Sequence, residues 1–354
     1  MTHANSTSRL RLSAIAALAC GAAFFASQSF AADYTYNSDK PDAKQIVGAE
    51  LNKTLGAAPK KEGVKIGVVL KSLTNQYWQG IAKGVEAAAK DLGVEVTVQA
   101  ANSEADPTQQ LTIAQTMIGR NFDAYVLSPV SVSNLTPAVR ELQSRNIPIA
   151  NADDARIAAT VYIGPNHELN GVVAADYMAE HLPDGGEVAQ IEGQAGSSAA
   201  ILRIKGFKEG IAKHGNLKLV ASVPGNWDGT QAYNATQTIL RKNPEIKAIY
   251  ANNDTMAVGV AKAVTDMGLT GKIIVIGTDG IPAALDGIKN GTITATVTPL
   301  PYYQGYWSVE SLVRLLGGQP VPDWVVAPAQ LITKDNMTEF FDDKYDVKEG
   351  LYNK

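Results

Sequence analysis

Residues able to bind or react fall in this chain just after short apolar runs. Ile66, Val68, Val69 and Leu70 lead directly into KSLTNQYW, which supplies Lys71, Asn75, Tyr77 and Trp78. The pattern recurs along the chain. Asn151, Asp153 and Asp154 follow the run Ile147 to Ala150, and the flexible stretch Glu192 to Ser198 follows Glu187 to Ile191. Asn226, Trp227 and Asp228 come after Leu217 to Ser222, Asn252, Asn253 and Asp254 after Ala248 to Ala251, and Thr278, Asp279 and Gly280 after Lys272 to Ile276. Carboxylates and carboxamides pair with hydroxyls, and an indole face covers the apolar face of a small saturated ring. The set therefore suits a neutral, polyhydroxylated small molecule. Taken singly, Lys71 reads as a surface lysine and Trp78 as core, and Asp228 and Asp254 read as helix caps. Recurrence at strand end after strand end favours a site.

Reaction chemistry finds little support. Of four histidines, His3 lies in the apolar leader, and His167, His181 and His214 have no partner at metal-ligand spacing. No serine sits in a G-x-S-x-G elbow, no G-x-G-x-x-G follows a strand and no phosphate loop occurs, so neither cofactor nor metal is expected. Asp153 and Asp154 are adjacent, and on an extended segment their side chains point apart, which argues against a paired acid and base.

The elements that must position these residues alternate. From Val64 onward the expected strands are Lys65 to Leu70, Val94 to Gln99, Ala124 to Leu127, Ile147 to Ala150 and Val161 to Ile163. A second round follows with Glu187 to Ile191, Leu217 to Ser222, Ala248 to Ala251, Lys272 to Ile276 and Thr292 to Val297. Between them lie amphipathic stretches such as Gln76 to Leu92, whose Ile81, Val85, Ala88 and Leu92 form one stripe closed by Gly93. Asp106-Pro107 and Ser133-Asn134 read as the starts of two further helices. A last helix is expected from Tyr302 to Leu315 and a terminal strand around Val325 to Ile332. Such alternation predicts an α/β fold of two doubly wound domains with parallel sheets, whose ligands bind beyond the carboxyl ends of the strands.

At 354 residues the chain is long enough for two such domains. Arg9 and Arg11, an apolar run from Leu12 to Phe25 and Ser29-Phe30-Ala31 read as a secretory signal cleaved after about Ala31. The single cysteine, Cys20, lies inside it in a poor lipoprotein box, so the mature chain is expected to be free of thiols and of lipid. Loss of residues 1–31 removes two arginines and no acid, taking the net charge from −4 to −6. An acidic exported chain without a basic run is a poor partner for nucleic acid. No later stretch is apolar for long enough to cross a bilayer. Asp33 to Glu62, with Lys40-Pro41, Ala57-Ala58-Pro59 and one weakly amphipathic piece from Ala43 to Leu55, reads as a leader outside the sheet.

The motifs KSLTNQYW, ASVPGNWD (Ala221 to Asp228), ANNDTMAVG (Ala251 to Gly259) and IGTDGIP (Ile276 to Pro282) resemble the type I periplasmic sugar-binding proteins of ABC importers, in their ribose- and allose-binding group. The likeness covers about Val64 to Asn336. It implies two domains joined by three hinge crossings that close on a small neutral sugar or polyol without catalysis, in a monomer serving a membrane permease from the periplasm. The domains would be residues 64–165 with 299–327, and 166–298 with 328–340, between a leader at 32–63 and a tail at 341–354. The resemblance assigns Lys71, Asn75, Tyr77, Trp78 and Asp153 to the ligand from the first domain, and Trp227, Asn253 and Asp279 from the second. Two departures stand out. Ile201 aligns with a ligand-binding arginine of the ribose binders, which leaves Arg203 to packing and surface, and Pro299-Leu300 replace a glutamine near the second crossing. Both remove hydrogen-bonding groups and point to a ligand shorter or less hydroxylated than ribose. A ligand-sensing subunit for a membrane receptor would use the same cleft, and a secreted carbohydrate-active enzyme is the remaining alternative.

Overall fold

Apolar runs buried on both faces build parallel strands here, and the amphipathic stretches between them cover the sheets. The computed structural model describes residues 1, 2, 33–348 and 350–352. The expected signal and its cleavage point lie outside the described residues, and the account below concerns the body from Asp33 onward. The chain opens with β1 (Gln45–Val47) and a short helix α1 (Leu51–Leu55). It continues through β2 (Lys65–Ser72), α2 (Gln76–Leu92), β3 (Glu95–Ala101), α3 (Pro107–Ile118), β4 (Ala124–Leu127), α4 (Thr136–Ser144), β5 (Ile149–Ala152) and β6 (Val161–Pro165). The second round is α5 (His167–His181), β7 (Gly186–Glu192), α6 (Ser198–His214), β8 (Leu217–Pro224), α7 (Gly229–Lys242), β9 (Ile246–Ala251), α8 (Asp254–Asp266), β10 (Ile274–Thr278), α9 (Pro282–Asn290) and β11 (Ala295–Thr298). The chain ends with α10 (Pro301–Leu316), β12 (Trp324–Ala327), β13 (Gln330–Thr333) and α11 (Met337–Phe340).

Seven strands form the first sheet in the order β1-β12-β6-β5-β4-β2-β3, and six form the second in the order β13-β11-β10-β9-β7-β8. All described pairings are parallel except β11 with β13. The chain passes between the sheets three times, after β6, after β11 and after β12. Each sheet with its helices is called a lobe below. The expected terminal strand is thus two strands, one in each sheet, because Pro328 lies between Ala327 and β13 and the chain changes lobe there. Helix α4 starts later than expected: Asn134 bonds back to the Ser131 amide, and the helix begins at Thr136.

Helix stripes decide the packing. Ile81, Val85, Ala88 and Leu92 of α2 are buried, and Gly93 ends the helix in the left-handed region as its C-cap. In the second lobe α6 lies backbone to backbone on α5, since a Cβ on Gly206 would sit 1.9 Å from the Glu168 carbonyl oxygen. That approach fixes α6 against α5 without side chains between them. Among the described residues, no helix is long and apolar enough to cross a membrane.

The leader requires a correction. Gln45–Val47 pairs with Trp324–Val326 as an edge strand of the first sheet, so part of the leader belongs to the sheet. A segment of three residues carries too little periodicity to announce a strand, and its partner comes late in the chain. Arg314 of α10 ties the same segment down. Its guanidinium is fully buried, bonds Glu310 at 2.7 Å and reaches the Asn52 side chain and the Gly56 carbonyl, each at 2.7 Å. Breaking a buried pair strands the remaining charge, at roughly 3 to 5 kcal/mol. Arg314→Leu is therefore expected to lower unfolding free energy by about that amount, read from urea denaturation. A loss below about 1 kcal/mol would show that Arg314 does not anchor the leader.

Candidate functional site

The carboxyl ends of both sheets face one cleft, and the loops leaving β2, β3, β5, β9 and β10, with the start of α6 and the turn before α7, line it. From the first lobe, Asn75 caps α2, its Oδ1 accepting from the Tyr77 amide at 2.9 Å while its Nδ2 donates to Glu104 at 2.8 Å. Tyr77 and Trp78 then enter the cleft as an edge-on pair with ring centroids 5.0 Å apart. The Tyr77 hydroxyl donates to Asp153 Oδ2 and accepts from Gln304 Nε2 at 3.0 Å. On the other side of Asp153, His167 Nε2 stands 3.0 Å from Oδ1. A carboxylate offers about four acceptor positions, so these partners still leave room for a ligand hydroxyl.

Asp153 and Asp154 are not extended. Both lie in the left-handed region, with φ of 54° and 46°. Asp tolerates that conformation better than most residues, and the two carboxylates go to different partners. Asp154 binds Lys71 and, across the cleft, accepts from the Ala199 amide at 3.0 Å and the Ser197 hydroxyl at 3.3 Å. Ser197 thus spends its hydroxyl on a carboxylate and forms no triad with a histidine.

From the second lobe, Trp227 is held at φ 62°, a costly conformation for a bulky residue. Its indole sits where a side chain on Gly193 would be, since a Cβ there would come within 2.1 Å of the ring. Arg203, one turn into α6, is 3% exposed and lies 5.9 Å from the same indole. Its Nη1 donates to the Asn252 carbonyl at 2.6 Å and stands 3.5 Å from Asp279 Oδ1. Asn253 caps α8 through its Oδ1, accepting from the Met256 amide at 2.9 Å, which leaves its Nδ2 hydrogens for the cleft it lines.

Burial sets the electrostatics. It raises the Tyr77 phenol well above its ordinary range, with Asp153 and Asp279 adding to the effect, so the hydroxyl remains a donor. At Asp153 burial works in the same upward direction, but His167, the Tyr77 hydroxyl and Arg203 outweigh it and hold the carboxyl below the usual carboxylate range. Burial dominates at Asp279 and pushes it well above that range, against Arg203 and with the help of the Asp254 and Asp153 charges. Asp254 is pushed up to about 6 by burial, opposed by the hydrogen bonds it accepts.

Of the expected site residues, Asn75, Tyr77, Trp78, Asp153, Trp227, Asn253 and Asp279 all line the cleft. Lys71 stands behind them, 5.5 Å over the Trp78 ring and paired with Asp154. Asp228 caps α7, accepting from the Gln231 amide at 2.7 Å. Asp254 is not a cap: Asn253 takes that role, and the Asp254 carboxylate braces the loop of Asp279 by accepting from the Gly280 and Ile281 amides at 2.7 and 3.0 Å. Arg203 is neither packing nor surface but part of the cleft, and Ile201 is exposed. Ala199 and Arg203, four residues apart, share the face of α6 that meets the cleft, and Ile201 between them points away. Glu104, absent from the expected set, also lines the cleft, following β3 as the other site residues follow their strands. The missing glutamine near the second crossing has a neighbour in Gln304, which reaches both Tyr77 and the Pro299 carbonyl. Two of the grounds for a smaller ligand are thereby weakened. Among the described residues, no group of three or more His, Cys, Asp or Glu is placed to hold a metal ion.

Comparison with known proteins gives this cleft its context. A family model described as a periplasmic binding protein domain matches residues 66–320. The chain is 37% identical over 305 residues to the D-allose-binding periplasmic protein of Escherichia coli (strain K12), covering 82% of this chain and 96% of that protein. It is 29% identical over 286 residues to the D-ribose/D-allose-binding protein of Pseudomonas aeruginosa, covering 77% of this chain and 89% of the other. A solved ABC transporter periplasmic solute binding protein from Actinobacillus succinogenes 130z, with bound D-allose, matches with a TM-score of 0.75 at 30% identity, covering 78% of this chain and 100% of that one. With two parallel sheets, three crossings and a family match over most of its length, the chain belongs to the type I periplasmic binding proteins, in the ribose/allose-binding family of ABC sugar importers, and is a solute-binding protein rather than an enzyme.

Proposed function

We propose that the chain captures a neutral monosaccharide or polyol in the periplasm, holds it between its lobes and presents the closed form to the permease of an ABC importer. The observation that carries this reading is that Trp78 and Trp227 enter one cleft from opposite lobes, among Asp153, Asn253, Asp279 and Arg203. Rings cover the CH faces of a sugar, and the polar groups pair its hydroxyls. Aldohexoses are favoured first, because the relatives named for D-allose align along most of this chain and Arg203 supplies a donor to the cleft. Export follows from the N-terminal signal, with maturation after about Ala31 and a mature chain lacking cysteine.

Entry requires motion. The cleft encloses about 30 Å3, room for about one water. A ligand must therefore bind a more open form and be enclosed as the lobes turn about Ile163-Gly164, Val297-Pro299 and Ala327-Pro328. Leu300, at φ 52° between Pro299 and Pro301, puts a strained backbone beside one of these crossings.

Trp227→Ala and Asp279→Ala are expected to weaken D-allose binding tenfold or more by calorimetric titration, because each leaves ring or hydroxyl surface uncovered at roughly 1 to 3 kcal/mol. Asp254→Ala should cost both affinity and folded stability, since Asp254 braces the Asp279 loop. Parent-like binding in the Trp227 and Asp279 variants would put the ligand elsewhere. X-ray scattering of the protein, first stripped of ligand by unfolding and refolding, should give a smaller radius of gyration after saturating D-allose is added. An unchanged radius with calorimetric binding present would count against closure.

A further inference from the structure

We propose that Asp154 and Lys71 form a clasp that holds the lobes closed through the N-terminus of α6 even without ligand. The proposal rests on the closing motion proposed above. Lys71 and Asp154 both come from the first lobe, at the ends of β2 and β5, and their side chains are only 3% and 6% exposed. Lys71 and Ser197 do not line the cleft, whereas Asp154 and Ala199 do. The Asp154 carboxylate also has partners in the second lobe, the Ala199 amide at 3.0 Å and the Ser197 hydroxyl at 3.3 Å from each oxygen.

The first amides of a helix have no partner within it, and the helix dipole favours a negative charge beside them. Ser197 serves the Ala200 amide at 3.4 Å, so the Ala199 amide is left to Asp154. In the open form this amide and the carboxylate return to water. In the closed form they meet out of water, with Lys71 balancing the charge, and the contact is stronger for that. The left-handed backbone at Asp153 and Asp154 makes it possible: one carboxylate turns to Tyr77 and the other to α6. A second contact of the same kind lies nearby in sequence. Gln76 of the first lobe accepts from the Ala283 amide at the start of α9 at 3.2 Å, where α9 has no side-chain cap of its own.

The consequence is a built-in bias. Sugar enters the open form and is held in the closed one, so a contact that raises the closed fraction raises apparent affinity. Asp154 then tunes affinity by setting that fraction, as a positioning residue.

The test reads lobe separation directly. The mature chain has no cysteine of its own, so Val132→Cys in the first lobe and Val258→Cys in the second, both exposed, accept a pair of fluorescent labels. Single-molecule transfer is compared for the labelled parent, Asp154→Ala and Ser197→Ala, with and without D-allose, after circular dichroism shows each is folded. Ser197 does not line the cleft, so its removal tests the clasp from the other lobe without touching ligand. Asp154→Ala is expected to lower the closed population of the ligand-free protein roughly tenfold and raise Kd by the same factor. Ser197→Ala should move both in the same direction by less. A raised Kd in Asp154→Ala with an unchanged ligand-free distribution would make Asp154 a ligand contact only and overturn the clasp. Unchanged ligand-free distributions in both variants overturn it whatever the affinities do. If the parent fails to close on any sugar, the proposed function falls, while the ligand-free comparison still decides the clasp.

Discussion

Three carboxyl groups, Asp153, Asp154 and Asp279, lie almost wholly out of water where the two sheets converge, and each needs a partner there. An unpaired charge there would cost several kcal/mol. Asp153 has Tyr77 and His167, Asp154 has Lys71 and the start of α6, and Asp279 faces Arg203. Two of these contacts cross between lobes, His167 to Asp153 and the α6 amide to Asp154, while Lys71, Tyr77 and Arg203 each serve a carboxyl of their own lobe. Each lobe thus meets part of its own charge, and closure supplies the remaining partners of Asp153 and Asp154.

The scaffold is arranged around that requirement. Gly206 lets α6 lie directly on α5, which sets both the amide that meets Asp154 and the guanidinium that meets Asp279. Asp254, buried beneath, spends its carboxylate on the amides of the loop that carries Asp279. Gln304 performs a similar task in the first lobe by holding the Tyr77 hydroxyl. These supporting residues keep the polar groups of the cleft within small tolerances, which recognition of a hydroxylated ring demands.

Backbone strain is concentrated in the same places. Asp153, Asp154, Trp227 and Asp279 all have positive φ, and Leu300 does so at a crossing between lobes. Such conformations persist only where surroundings over-determine them. Here the surroundings are visible: an indole fitted over Gly193, two carboxylates drawn to opposite lobes, and a leucine caught between prolines.

The order of elements was legible in the amino-acid sequence, because strands buried on both faces are continuous apolar runs and the covering helices show a 3.6-residue stripe. So was the rule that polar residues just beyond the strands meet in one place, which follows from parallel topology alone. What sequence left open was which atom of each residue faces the cleft and which serves the scaffold. Asn253 and Asp254 are neighbours of similar chemistry, yet one caps a helix beside the cleft and the other braces a loop beneath it. Arg203 looked like packing, and Ile201 was aligned to a binding position, although the helix turns Arg203 inward and leaves Ile201 in solvent. The edge strand at Gln45–Val47 escaped notice because its partner, Trp324–Val326, lies hundreds of residues away. Local periodicity reports what a segment can become. Partners distant in sequence decide which hydrogen bonds its side chains make, and only the folded chain brings those partners together.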